Sequence, residues 1–205
     1  MWIKICGMTT PEAVAAALEA QVDAIGFVFA ESPRRLTPQS AVALARGARG
    51  RVSCVAVTRH PGQAALDEIL SVFAPDVLQT DAADFETLRV PESLGRLPVL
   101  RAGGALPARL PARVLFEGPA SGTGLPVDWN AARALALRTE LVLAGGLTSG
   151  NVAAAIAAVR PIGVDVSSGV EARRGVKSAA AIMSFVSAVR AAAAAPAAHS
   201  TGDLP

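Results

Sequence analysis

Trp2-Ile3-Lys4-Ile5-Cys6-Gly7-Met8-Thr9-Thr10-Pro11 opens the chain. Its first half is a short apolar run of strand character that ends on a thiol. Its second half is a glycine and a helix cap, with helical composition from Pro11 to Ala20. A strand passed to a helix across so short a loop is half of a βα unit. Alternation along the strand places Lys4 on the same face as Cys6. Cys6, at the C-terminal end, therefore points into the mouth of whatever sheet this strand founds.

The same unit recurs along the chain. Short β-branched runs lie at 2–6, 24–29, 52–57, 76–79, 98–102, 113–116, 140–144 and 163–166. Alanine- and leucine-rich segments of helical composition separate most of them, at 11–20, 38–46, 63–73, 83–88, 129–138 and 149–159, and a last helix spans 179–195. Strand and helix taking turns predicts a parallel sheet, and runs that are nearly continuously apolar predict strands covered on both faces. Eight such units in 205 residues fit an α/β fold of one kind, a single small (β/α)₈ barrel of the TIM type. The fifth unit is the weak one, because Gly103, Gly104, Pro107 and Pro111 leave its helix short or missing. No linker divides the chain. Residues 1–190 read as the barrel and 191–205 as the end of the last helix and a disordered tail.

Composition narrows the partners. Apolar residues make up 52% of the chain, which suits a packed domain, and 19 basic against 17 acidic residues give a net charge of +2. The arginines are scattered, so no basic patch suggests nucleic acid or an anionic membrane surface. The expected partner is a small molecule and the expected state a monomer. The two cysteines, Cys6 and Cys54, lie in apolar runs without a CxxC or Cys/His cluster. That spacing predicts no metal site and a reducing, cytoplasmic setting. No apolar stretch is long enough for a membrane span, and the N-terminus has no cleavable leader pattern.

Two late loops carry an anion-binding pattern. Ala144-Gly145-Gly146-Leu147-Thr148-Ser149-Gly150-Asn151 follows the seventh run, with glycines that let backbone approach a ligand and Thr148 or Ser149 to cap the next helix. Val166-Ser167-Ser168-Gly169-Val170-Glu171 follows the eighth. Barrel enzymes hold phosphate at these two loops, largely with backbone amides. Asp128, after the glycine-rich segment Gly122-Thr123-Gly124, reads as the N-cap of the helix at Trp129 and as an acid, roles that are compatible. Asp165 inside an apolar strand needs a partner, either ligand hydroxyls or an ion pair such as one with Lys4. Glu117 admits the same two readings. Arg34 or Arg35, after the second run, can clamp a carboxylate through its fork of donors. Cys54 reads as an inert core residue, and His60 and His199 as loop and tail residues.

The combination Lys4-Ile5-Cys6-Gly7-Met8-Thr9, Gly26-Phe27-Val28-Phe29 with Ser32-Pro33-Arg34, Gly122-Thr123-Gly124 with Asp128-Trp129, Ala144-Gly145-Gly146-Leu147 with Asn151-Val152, and Val164-Asp165-Val166-Ser167-Ser168-Gly169-Val170-Glu171 resembles the phosphoribosylanthranilate isomerase family of tryptophan biosynthesis. The resemblance runs in order from residue 2 to about 190. It implies an Amadori rearrangement on a small barrel, with no metal or organic cofactor. It also implies that Asp128 is the general acid and Cys6 the general base, with Arg34 on the anthranilate carboxylate and Asp165 on substrate hydroxyls. The backbone of Gly145, Gly146, Ser168 and Gly169 would surround the phosphate. The chain departs from the family pattern at Val55-Ala56-Val57-Thr58-Arg59, at Gln79-Thr80-Asp81-Ala82 in place of Gln-Leu-His-Gly, at Leu125 where lysine is common, and at Arg35 where an aromatic or apolar residue is frequent. None of these touches Cys6, Asp128 or Asp165. The competing readings are a histidine-biosynthesis-type isomerase, which would carry aspartate where Cys6 stands, an indole-glycerol-phosphate synthase, which needs a strand-end lysine, and a barrel that binds a sugar phosphate without turnover as a sensor.

Overall fold

The computed structural model describes residues 1–119 and 127–195. Eight parallel strands close into a barrel in sequence order: β1 (Trp2–Cys6), β2 (Ala24–Val28), β3 (Ser53–Val57), β4 (Val77–Asp81), β5 (Gly95–Arg101), β6 (Arg113–Glu117), β7 (Glu140–Leu143) and β8 (Gly163–Val166). Closure comes from β1, which pairs with both β2 and β8 and sets Lys4 opposite Ala24 on one side and Asp165 on the other. The surrounding helices are α1 (Pro11–Glu19), α2 (Pro38–Ala45), α3 (Gln63–Phe73), α4 (Trp129–Ala136), α5 (Val152–Val159) and α6 (Ala179–Ala194). None of the described helices is long and apolar enough to cross a membrane.

Local sequence explains where these helices start. Thr10, Thr37 and Ser178 each accept a hydrogen bond from a first-turn amide with the side-chain hydroxyl, and proline follows directly at Pro11 and Pro38, where a missing N–H costs nothing. Asp128 does the same for α4 with its carboxylate. Between β5 and β6 the described backbone holds no helix, as the Gly103–Pro111 composition dictates, and after β4 a 3₁₀ turn (Ala82–Glu86) stands where the pattern predicts an α-helix.

Strand alternation sorts the side chains into two cores. Outward-facing Ile3, Ile5, Ile25, Phe27, Leu78, Leu141 and Val164 pack under the helices with Phe73, Phe185 and Val189. Inward-facing Leu97, Val99, Leu115, Val142 and Ala144 form a smaller cluster that fills the barrel, with Trp2 and Val77 against it. Toward the C-terminal ends the inward positions turn polar. Lys4, Cys6, Gln79, Asp81 and Asp165 are all buried there.

The structure differs from the sequence reading at other places as well, and β4 runs on to Asp81, two residues past the expected end. β5 begins at Gly95, ahead of Pro98, and the proline takes its place in the ladder opposite Thr80 of β4. Helix α5 begins at Val152, with Asn151 as its cap residue in place of Thr148 or Ser149; the Asn151 side chain instead accepts from the Thr148 amide and donates to the Gly146 carbonyl, bracing the loop. A hairpin of β9 (Glu171–Arg173) and β10 (Val176–Lys177) follows β8; it is too short and polar to show a period.

Glycine makes the seam between the first and last strands possible. A Cβ on Gly163 would lie 2.7 Å from the Trp2 carbonyl oxygen and 2.9 Å from Trp2 Cβ. Gly163→Ala is therefore expected to lower the unfolding free energy by about 1–3 kcal/mol, the usual cost of overpacking. Gly47→Ala, where a Cβ would meet nothing within 4 Å, serves as the control in the same urea denaturation and is expected to leave stability near wild type.

Candidate active site

A cavity of about 160 Å³ opens at the C-terminal mouth of the barrel. Its wall includes Cys6, Arg34, Glu117 and Asp165, four of the residues singled out from sequence, together with Gln79, Arg101 and Ser167. Cys6 reaches it because β1 points its side chain inward at the last strand position. Space for the sulfur comes from Gly26 on β2, where a Cβ would fall 3.0 Å from Cys6 Sγ and 3.2 Å from Lys4 Cε. Cys54, by contrast, packs under the helices in the outer core, where burial pushes its thiol up to about 11.

Lys4 and Asp165 meet beneath Cys6 at 2.9 Å, with Lys4 fully buried. The ion-pair reading of Asp165 is thus realised, and its Oδ2 has no partner among the described residues. Burial pulls the Lys4 ammonium down, but Asp165, and next Cys6, raise it on balance. For Cys6, burial pushes the thiol up; Lys4 and Lys177 pull against this while Asp165 adds to it, and the net direction is upward. The free site therefore favours the protonated thiol at neutral pH.

Arg34 turns inward and is 6% exposed, whereas Arg35 is exposed. The Arg34 guanidinium grips Glu171 with Nε at 2.6 Å and Nη2 at 3.0 Å, leaving Nη1 without a partner among the described residues. Gly7 lets the arginine pass. It has a φ of +82°, and a Cβ there would lie 2.5 Å from Arg34 Cδ. Glu171 also accepts from Lys177 Nζ at 2.9 Å and from the Gly175 amide at 3.1 Å. Burial works to raise Glu171, but Arg34, Lys177 and the amide lower its carboxyl to about 2. Lys177 in turn donates to the Ser167 carbonyl at 2.9 Å, and Ser167 Oγ donates to the Cys6 carbonyl at 3.0 Å. Burial outweighs Glu171 and keeps Lys177 below the usual lysine range.

A second network lies across the cavity. Arg101 bridges Asp81 and Glu117, so the ion-pair reading of Glu117 also holds. His60 Nδ1 lies 2.8 Å from Asp84 Oδ1, and Asp84 further accepts from the Thr80 hydroxyl. His60, Asp81 and Asp84 thus cluster as donor atoms that a metal ion would also suit. Their lone pairs already serve Arg101, Thr80 and the His60 amide, so the cluster is explained as an internal network.

Asp128 stands on the same face of the barrel but is exposed and outside the described wall of this cavity. Its Oδ1 accepts from the Asn130 amide at 2.8 Å. The Gly122-Thr123-Gly124 segment and Leu125 lie outside the described residues, as do Pro196 to Pro205. The two anion loops do come together: a Cβ on Gly169 would sit 1.9 Å from the Leu147 carbonyl oxygen. Gly145 and Gly146 take φ of 90° and 65°. Among the described residues, the amides of Gly145, Gly146, Ser168 and Gly169 have no acceptor. Lys177 and Arg101 are site residues the sequence reading missed. The one available signal for Lys177 was scarcity, since the chain has only two lysines, Lys4 and Lys177, among its 19 basic residues.

An eight-stranded parallel barrel with a thiol, buried ion pairs and unbonded amide loops at its C-terminal mouth defines the class of small barrel enzymes that act on anionic sugar derivatives. Residues 3–188 match the family model described as N-(5'phosphoribosyl)anthranilate (PRA) isomerase, and the chain belongs to that family. An N-(5'-phosphoribosyl)anthranilate isomerase of Brucella canis is 40% identical over 213 residues, spanning 95% of this chain and 96% of the relative. The crystal structure of TrpF from Jonesia denitrificans superposes with a TM-score of 0.76 at 35% identity, covering 95% of this chain and 98% of that one. A phosphoribosyl anthranilate isomerase in complex with reduced 1-(o-carboxyphenylamino)-1-deoxyribulose 5-phosphate superposes with a TM-score of 0.74 at 25% identity, covering 93% and 99%.

Glu171 supplies a pH signature. Its folded pKa of about 2 lies below its ordinary 4.5, so its stabilising contribution is complete above the ordinary value and fades as pH falls through the folded one. In urea titrations the stability gap between wild type and Glu171→Gln is expected to be constant above about pH 5.5 and to shrink steadily toward pH 2.

Proposed function

We propose that this chain catalyses the Amadori rearrangement of N-(5'-phosphoribosyl)anthranilate to 1-(2-carboxyphenylamino)-1-deoxyribulose 5-phosphate in tryptophan biosynthesis. The observation that carries the reading is the place of Cys6, at the cavity wall above a buried lysine and carboxylate, in a chain that matches the isomerase family from residue 3 to 188.

The phosphate sits on the free amides of Gly145, Gly146, Ser168 and Gly169, which are aimed by the two glycine-permitted turns. The unused Arg34 Nη1 takes the anthranilate carboxylate, and Glu171 keeps that guanidinium in plane. The free Asp165 oxygen accepts from a sugar hydroxyl while Lys4 fixes the other oxygen. Asp128 acts as the general acid, delivering a proton to the furanose ring oxygen from the carboxyl oxygen that the Asn130 amide leaves free. The C1–O bond breaks and the anilino nitrogen lone pair forms the C1=N bond of a Schiff base. Cys6 thiolate then removes the C2 proton, and the C2–H electrons move to form C1=C2 as the C1=N electrons return to nitrogen. The resulting enolamine becomes the ketone as C1 gains a proton and the C2 hydroxyl loses one, which restores both catalytic groups.

Each role has a distinct readout. The fluorescence decay of freshly prepared phosphoribosylanthranilate is expected to slow at least about 10²-fold in Cys6→Ser and in Asp128→Asn, the usual size of a general acid or base contribution. Equal rates in the variants and the wild type would overturn the assignment. Because burial holds the Cys6 thiol above its ordinary 9.0, the base-competent form grows as pH rises. Alkylation of Cys6 by iodoacetamide in the free protein, which needs the thiolate alone, is accordingly expected to speed up about tenfold per unit between pH 7 and pH 8.5, read by mass spectrometry of the Cys6 peptide. An alkylation rate independent of pH over that range would overturn the upward shift.

A further inference from the structure

Two buried side-chain polar atoms lack a hydrogen-bond partner among the described residues, Gln79 Oε1 and Trp129 Nε1. Trp129 opens α4 away from the described wall of the cavity, whereas Gln79 lines that wall and is 5% exposed. The sheet fixes Gln79 firmly. Its carbonyl accepts from the Thr58 amide at 2.9 Å, and its register partners on β3 and β5 are Val57 and Leu97. Those neighbours offer apolar side chains only. Asp81, the next inward position on β4, is already held by Arg101. No hydrogen bond of the Gln79 side chain forms among the described residues.

A buried amide oxygen without a donor is a standing cost to the fold. Such a cost is removed when a ligand supplies the missing partner, and the terminal torsion of glutamine is soft enough to turn either end of the carboxamide to the cavity. A carboxamide accepts at one atom and donates at its neighbour. Its chemical complement is a pair of adjacent hydroxyls, one donating and one accepting. A carboxylate only accepts, and an anilino N–H only donates.

We infer that Gln79 is a substrate-binding residue whose carboxamide pairs with vicinal hydroxyls of the bound sugar chain. The inference rests on the isomerase reading only for the identity of that polyol. Gln79 thereby joins Asp165 as a second hydroxyl contact, from the opposite side of the barrel. It also explains why a polar residue occupies an inward β4 position flanked by Val57 and Leu97.

Gln79→Met keeps the length of the side chain and removes both polar ends, so it separates binding from scaffolding. Three quantities decide the matter: affinity for reduced 1-(o-carboxyphenylamino)-1-deoxyribulose 5-phosphate, affinity for inorganic phosphate, and Tm. The variant is expected to bind the reduced polyol about tenfold more weakly, to bind inorganic phosphate within twofold of wild type, and to melt at the wild-type temperature or above it. A structural role would move Tm downward. A polyol affinity within threefold of wild type, a parallel loss for inorganic phosphate, or a lower Tm each overturns the inference. Turnover by the wild type separately decides the isomerase reading, so the two failures are told apart.

Discussion

Lys4 and Asp165 are separated by 161 positions and meet at 2.9 Å inside the barrel, across the one seam that joins the first strand to the last. A fully buried lysine is tolerable only with a partner, and a carboxylate on a buried strand needs the same. Each residue is thus the condition for the other, and the pair fixes the register in which β1 meets β8. Cys6 sits one inward step above it. The ion pair therefore sets the shape of the barrel mouth and also the field at the thiol, with the ammonium favouring thiolate and the carboxylate opposing it.

A second layer of charge stands above the first. Arg34 from the loop after β2, Glu171 from the start of the hairpin and Lys177 from its end converge, and Ser167 ties them to the Cys6 carbonyl. Glycine at position 7 is what lets the arginine cross the end of β1. The arrangement presents one face of a guanidinium to the cavity with the rest of its donors spoken for. Such a fork loses little freedom when it receives a carboxylate, because its plane is already held.

Much of this was legible in the chain and some was not, for identifiable reasons. The strands show as β-branched runs because parallel strands buried on both faces leave little room for polar interruption, so the inward interruptions of the first and last strands, Lys4 and Asp165, mark the site. Alternation placed Lys4 with Cys6, and composition alone removed the helix after β5. The hairpin at 171–177 stayed hidden because two- and three-residue strands carry no period. Lys177 and Arg101 stayed hidden because their meaning lies in partners that sequence distance conceals, as does the Arg34 bond to Glu171, 137 positions away. The departure at Gln79-Thr80-Asp81 was visible as a difference, but its content was not. Only the fold shows that Asp81 answers Arg101 and that Thr80 turns outward to Asp84.

Both lysines of the chain have side chains wholly shut off from solvent. Every basic side chain on the outer surface is therefore an arginine or a histidine. Reagents that acylate lysine side chains consequently find no target on the native molecule, and modification of either lysine reports that the barrel has opened.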